Sequence, residues 1–266
     1  MATVTGSKFC VRVTTLHSDP KMTPRSNTLF HFTRSIETLK LVLSNGFWPR
    51  YCLEDMGWYG EKKLLHMAYP MVCFCDIPIS RIFEHIGFYG SFGIGLSRDW
   101  ALKNQLNPIA YLTSDSPLRE AISYSLVLAN SLNEDKRLKG FKTIRSIFSF
   151  VKPMSGIMMV QGQPVEKDFY QESEWRYVPQ KENIPDFLQH KDYDSQDALA
   201  AANEITREQG MLQFQPSDIR YIFVPKDSDI PAVINYMQQY MDHISAADLK
   251  VLMSRVTSLE TLNHDL

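Results

Sequence analysis

The sequence has no excess of either charge. Among its 266 residues, 28 lysines and arginines face 30 aspartates and glutamates, for a formal net charge of -2. That balance excludes an overall basic field of the kind that draws proteins to duplex nucleic acid, and leaves only local patches. Long apolar runs are missing as well. None approaches the ~20 residues of a spanning helix, and the N-terminus does not open with a basic and then an apolar stretch. No membrane association is expected, and the expected compartment is the cytoplasm. Cysteine is scarce: Cys10, Cys52, Cys73 and Cys75. Cys73 and Cys75 would share one side of a strand, but no second pair stands at zinc-ligand spacing, so buried free thiols and no metal are expected. There is no repeat and no low-complexity block. "FGIGLS" lacks both the G-K-[ST] ending of a phosphate loop and the G-x-G-x-x-G spacing. Its glycines are expected to let a strand bend or admit a close neighbour. No nucleophile-elbow sequence supports a Ser-His-Asp triad, and His17, His66 and His85 fit no ligand pattern.

What is present is a 44% apolar chain long enough to bury a sizeable core. Residues 1–28 are polar, contain Pro20 and Pro24, and are expected to form an N-terminal arm. Residues 29–266 read as a single domain ending in amphipathic helices. Leu29 to Thr33 reads as a strand. A helix follows, capped by Ser35, with Ile36, Leu39, Val42 and Leu43 on one face and Gly46 as its stop. Residues 48–69 read as a long loop with a helical turn, and Tyr69 to Ser80 as a short buried strand closed by Pro78. Phe88 to Asn104 reads as a strand leading into a helix capped by Ser97, and Pro108 to Asp115 as another strand. Ser116-Pro117 opens a helix to about Asn133. Ile147 to Lys152 and Phe169 to Pro179 read as strands, Ala198 to Gln209 as a helix stopped by Gly210, and "MLQF" and "IRYIFVP" as late strands. The mixed order predicts an α+β fold with a mixed or antiparallel sheet.

Two places could carry chemistry. His31 interrupts an apolar strand and shares a face with Leu29 and Thr33, while Phe30 and Phe32 share the other. It reads either as a core histidine bonded to backbone or as the floor of a polar ligand site. In "QESEWR", Glu172 and Glu174 would point the same way along a strand, with Arg176 on that face. Carboxylates so close repel, which would raise one pKa, and the pair suits acid–base work or charge stabilisation. The alternative is a solvated edge with a Glu–Arg pair. Asp76 at a strand end reads as a turn cap or a ligand for a polar group.

In order along the chain, "LFHFTRSIETLKLVLSNGF", "MVCFCDIPIS", "YGSFGIGLSRDWALKNQLNPIAYL" and "QESEWRYVP" resemble the AbiGi family of abortive phage resistance proteins, over about Leu29 to Pro225. That family carries an antitoxin label. More distantly, the opening H-F-T with its helix ending in L-x-x-G-F, and the late E-x-E, resemble the first and third motifs of ADP-ribosyltransferases, including DNA-modifying toxins of the DarT type. This second resemblance implies an ADP-ribosyltransferase-like split mixed β-sheet with NAD in the cleft between its halves. It implies that His31, Phe32 and Thr33 bind NAD and that Glu174 steadies the positive charge on the sugar. Glu172 would activate an RNA, DNA or protein acceptor. Phe74, Trp58 or Tyr89 would stack on nicotinamide; Tyr51, Tyr69, Tyr89 and Tyr111 compete for the tyrosine of the H-Y-E class. "SIFSF" is a faint echo of the S-T-S motif. His31 and Glu174 should then flank one cleft from adjacent central strands, on one face of the sheet and within about a ribose width of each other. The implied role is an NAD-dependent toxin of an anti-phage, toxin–antitoxin system, with a cognate antitoxin as partner. The alternative is a non-catalytic antitoxin or phage-sensing binding protein.

Overall fold

The computed structural model describes residues 26–59, 66–113, 115–160, 163–242 and 244–264. The expected N-terminal arm lies almost wholly outside these residues, as do Cys10 and His17. In chain order the strands are β1 (Thr28–Thr33), β2 (Arg50–Asp55), β3 (His66–Cys75), β4 (Phe92–Ser97), β5 (Asn107–Pro108), β6 (Ala110–Leu112), β7 (Val151–Pro153), β8 (Ser155–Val160), β9 (Gln163–Asp168), β10 (Glu174–Tyr177), β11 (Leu188–Gln189), β12 (Ile219–Val224) and β13 (Val256–Ser258). The helices are α1 (Ile36–Asn45), α2 (Ile82–Tyr89), α3 (Arg98–Lys103), α4 (Pro117–Asn130), α5 (Glu134–Phe148), α6 (His190–Asp194), α7 (Gln196–Gln209), α8 (Ile230–Tyr240), α9 (Ala246–Met253) and α10 (Leu259–Asn263).

Local chemistry explains several boundaries. The Ser35 hydroxyl accepts the Thr38 N–H to start α1, and Gly46, at φ 83°, ends it. A side chain there would sit 2.7 Å from the Leu212 carbonyl oxygen. Ser97 accepts from the Trp100 N–H at the start of α3, and Ser116 caps α4 with Pro117 in its first turn. Each such cap contributes about 1 kcal/mol.

The main sheet runs β13-β12-β4-β1-β3-β10-β5, with β2 and β11 also paired to β3. Only β12 and β13 are parallel within it, so the sheet is mixed and the fold is α+β. One face carries Leu29, Phe74, Ile94, Leu96, Trp175 and Ile222 and packs on α1 and α8 through Leu39, Leu43, Val233 and Met237. The opposite face carries Phe30, Phe32, Cys75 and Phe223 and packs on Ile82 of α2 and Leu259 of α10. Burial at this level contributes roughly 1.5–3 kcal/mol per large apolar side chain. A third cluster joins Met67, Tyr69 and Met71 of β3 to Ile122 of α4 and Ile144 and Phe148 of α5.

Several expectations change. Residues 48–69 are not a loop around a helical turn: they hold β2 and the start of β3, with a short 3-10 turn at Gly57–Tyr59. β2 escapes a hydrophobic reading because apolar and polar residues share it: Tyr51 packs with Ala68 and Ala202, while Cys52 and Glu54 line an interior cavity. Ile147 and Phe148 end α5, and the strand after it begins only at Val151. "SIFSF" is therefore mostly helix end. In the E-x-E stretch only Glu174–Tyr177 is strand. Phe169–Glu172 is a 3-10 turn, closed by Ser173 in the left-handed region at φ 45°. "MLQF" makes only an isolated bridge, Leu212 to Phe47. The glycines of "FGIGLS" serve close approach: a Cβ on Gly93 would lie 2.6 Å from the Phe32 ring.

Candidate functional site

β3 is long enough to pass from one neighbour to the next. One edge pairs with β10 over Val72–Cys75 and with β11 at Met67–Ala68. The other edge meets β1 at a single position, Phe30 opposite Cys75, and β2 from Met71 to His66. Between these contacts β1 and β2 diverge, and the sheet forks. The Cys73 carbonyl points into the fork, where the ladder cannot satisfy it. His31 Nδ1–H donates to it at 2.9 Å. A carbonyl only accepts, so this bond fixes the tautomer and leaves Nε2 as an acceptor. Burial lowers the His31 pKa below its ordinary value, against the opposing effect of that bond, so the ring is neutral at neutral pH.

A cavity of about 640 Å³ fills the fork. Phe30–Phe32 of β1, Cys52–Asp55 of β2 and Cys73–Cys75 of β3 line it, and His85 and Tyr89 of α2, Lys152 of β7 and Met158 of β8 close over it. Glu172 and Glu174 stand in its wall. The size is that of a pocket for a ligand of moderate mass.

The two carboxylates belong to a buried network of alternating charge. Lys152 Nζ reaches both, 3.4 Å from Glu172 and 3.0 Å from Glu174. Glu172 also takes Lys167 at 2.5 Å and the Tyr89 hydroxyl. Glu174 takes Arg176 Nε at 2.6 Å. Arg176, with no exposed surface, donates further to Glu54 at 2.9 Å and to the Ser149 carbonyl at 2.8 Å. The Glu174 backbone N–H donates to the Tyr111 hydroxyl at 2.8 Å. Three acids thus meet three bases. The expected upward shift of one carboxyl does not occur. Burial pushes the Glu174 carboxyl up, but Arg176 and Lys152 outweigh it and hold the group well below the usual carboxylate range. Glu172 is lowered in the same way, with Lys152 and Lys167 overcoming burial. Both are standing anions, suited to stabilising positive charge and poorly suited to carrying protons. The Glu174–Arg176 pair is accordingly a core feature and not a solvated edge.

His31 and Glu174 line the same cavity, but from strands separated by β3 and not from adjacent ones. The register also alternates them to opposite faces. Glu174 aligns with Cys75 and so with Phe30, whereas His31 lies on the next position, its ring edge-on to Phe47 at 5.1 Å and tilted to Phe74 at 5.6 Å. The imidazole reaches the cavity only because the fork leaves a gap in the sheet. Phe32 lines the cavity but stacks on Phe223. Thr33 does not line it. Phe74, 2% exposed, also lines the cavity, with its ring packed against Phe47 and Trp100. Trp58 packs on Phe148, away from the cavity lining. Of the competing tyrosines, Tyr89 lines it and Tyr51, Tyr69 and Tyr111 do not. Asp76 pairs with Arg98 at 2.6 Å.

Sequence reasoning passed over Lys152, Lys167, Glu54 and His85. Lys152 and Glu54 meet partners far along the chain, whereas Lys167 meets Glu172 and His85 stacks on Tyr89 within a few residues, with no motif to mark either pair. His85 stacks on Tyr89, and burial pushes its pKa down to about 4 despite nearby Glu172. Cys52, Cys73 and Cys75 are free thiols. Among the described residues no group of histidines, cysteines and acids could hold a metal ion, and no helix is long and apolar enough to cross a membrane.

The family model described as "Putative abortive phage resistance protein AbiGi, antitoxin" matches residues 45–225, from the end of α1 to just past β12. The chain belongs to the AbiGi family. The match takes in β2, Tyr89, Lys152, Glu172 and Glu174, while His31, Phe32 and Thr33 lie before it. The abortive phage resistance protein AbiGi of Lactococcus lactis subsp. cremoris is 29% identical over 248 residues, covering 82% of this chain and 99% of that relative. No solved structure matches the chain.

Proposed function

We propose that this AbiGi protein serves abortive phage resistance as an NAD-dependent ADP-ribosyltransferase, a growth-halting toxin held in check by a cognate antitoxin. The observation that carries this reading is the fork. A neutral imidazole with a free acceptor nitrogen and two standing carboxylates line one cavity of about 640 Å³. That donor set fits a ribose: His31 Nε2 accepts a hydroxyl hydrogen, and so do the carboxylate oxygens. Bound NAD supplies an ADP-ribosyl group whose bond to nicotinamide breaks with positive charge left on the sugar. Glu174 faces that charge as a fixed anion in a water-poor cavity. Glu172 accepts a hydrogen bond from the incoming nucleophile, an RNA, DNA or protein group, and orients it, while the proton it sheds passes to solvent. Tyr89 lines the cavity beside Glu172, with His85 stacked on its ring and Lys167 Nζ over it.

The test is incubation of the purified protein with radiolabelled NAD and cell extract, nucleic acid included. Label is expected on a macromolecule, and Glu172→Gln, if folded, should abolish it. No label in any fraction overturns the reading.

A second reading is a non-catalytic antitoxin or phage-sensing protein. The family's antitoxin description favours it, and so does the matching of each carboxylate by cations of the protein itself. It predicts harmless expression, no loss of label or of NAD, and tight binding to a partner protein.

A further inference from the structure

Arg176 serves Glu174, and Lys167 serves Glu172. Lys152 alone among the described residues touches both. It comes from neither of their elements. Among the described residues β7 pairs only with β6, in a small parallel sheet of its own, and α5 leads into it through Ser149, whose carbonyl is held by Arg176. Lys152 Nζ lies over the Phe169 ring, 4.4 Å from its centre, and within ion-pair distance of both carboxylates. Glu172 sits on a turn and Glu174 on a strand, with left-handed Ser173 between them. The backbone therefore does not impose a common direction on their side chains, and the shared ammonium does.

We propose that Lys152 is the positioning residue of this site: its single ammonium draws Glu172 and Glu174 onto the same wall of the fork cavity and holds them there together. The other charged or titratable groups around the pair are Arg176, Cys73 and Tyr111 beside Glu174, Lys167, Tyr89, His85 and Cys75 beside Glu172, and Glu54 beyond Arg176. None of them spans the gap. Without the ammonium, two buried carboxylates of like charge face each other with one counter-ion each. The favoured response is for one to take a proton and turn away.

The test compares Lys152→Met with Lys152→Arg, which keeps the charge. The first readout is titration of carbon-13-labelled glutamate side chains by NMR, which needs no ligand. Lys152→Met should show one carboxyl titrating well above its position in the parent protein, and Lys152→Arg should not. Lys152→Gln replaces Lys152→Met if the latter does not fold, with the same expectation. An unchanged titration in the folded, uncharged variant overturns the proposal. The second readout is NAD affinity by calorimetry across pH, and this arm rests on the proposed function. Lys152→Met should bind at least about tenfold more weakly near neutral pH and recover as pH rises, with Lys152→Arg close to the parent. Weakening by the same factor at every pH counts against a positioning role. If the parent protein binds no NAD while the carboxyl titration still shifts, the ligand assignment falls and the role of Lys152 stands.

Discussion

His31 Nδ1 donates to the backbone carbonyl of Cys73 at 2.9 Å, at the point where β1 and β2 part from β3. The bond substitutes a side chain for the missing strand neighbour and accounts for an imidazole inside an apolar strand. Replacing His31 with Phe keeps the packing against Phe47 and Phe74 but leaves the carbonyl unpaired. A loss of about 1–3 kcal/mol is expected, measured by urea denaturation. His31→Gln, which can still donate, should lose less. Equal stability of the parent and the Phe variant would mean that the carbonyl finds another donor.

Glu174→Gln removes the charge facing Arg176, whose side chain is fully buried. Glu54 still compensates that guanidinium in part. The expected cost is about 3–5 kcal/mol, because an uncompensated buried charge is left behind. Glu174→Gln combined with Arg176→Met should recover part of that loss, which a double-mutant cycle by denaturation would read as coupling between the two sites. Any activity measured on Glu174→Gln alone must therefore be accompanied by proof of folding.

Stability should fall on mild acidification. Burial lowers the pKa values of both His31 and His85, the latter to about 4. An unfolded imidazole titrates near 6.5. Between those values the unfolded chain binds protons that the folded protein refuses, so stability is complete above about pH 6.5 and declines toward pH 4. Below about 4.5, Glu172 and Glu174, lowered by their cations, add a further loss. Urea midpoints taken from about pH 7 to pH 4 check this. The slope in the upper part of that window should shrink in His85→Gln, and a flat profile there would contradict two neutral buried rings.

Gly90 sits between α2 and β4 at φ 110°, and a Cβ there would lie 2.3 Å from the Thr33 carbonyl oxygen and 2.6 Å from the Arg34 Cα. The obstacles are backbone atoms and cannot rotate away. Gly90→Ala should cost at least about 2 kcal/mol by denaturation. It should also disturb the cavity, because α2 carries His85 and Tyr89 and is held against β1 at this turn. Fluorescence or NMR signals of Tyr89 unchanged in a folded Gly90→Ala protein would show that the helix docks independently of it.

What the sequence determined by itself is the set of elements whose signals are local. Ser35 and Gly46 bound α1, Ser97 starts α3, Ser116-Pro117 starts α4 and Gly210 stops α7, because a cap and its target lie within four residues. His31 could be picked out because an imidazole is out of place in an apolar run, and Glu172 and Glu174 because two carboxylates stand two residues apart beside an arginine. Tertiary structure alone decided what those residues meet. β2 and the first three residues of β3 read as loop because polar residues interrupt them: Glu54 and His66 line the cavity, while Arg50 and Asp55 are exposed. Lys152 lies 20 and 22 residues from its carboxylates, Tyr89 lies 83 from Glu172, and Arg176 lies 122 from Glu54. No window of sequence holds such pairs, and the energy that joins them arises only when the sheet has forked and excluded water from the space between.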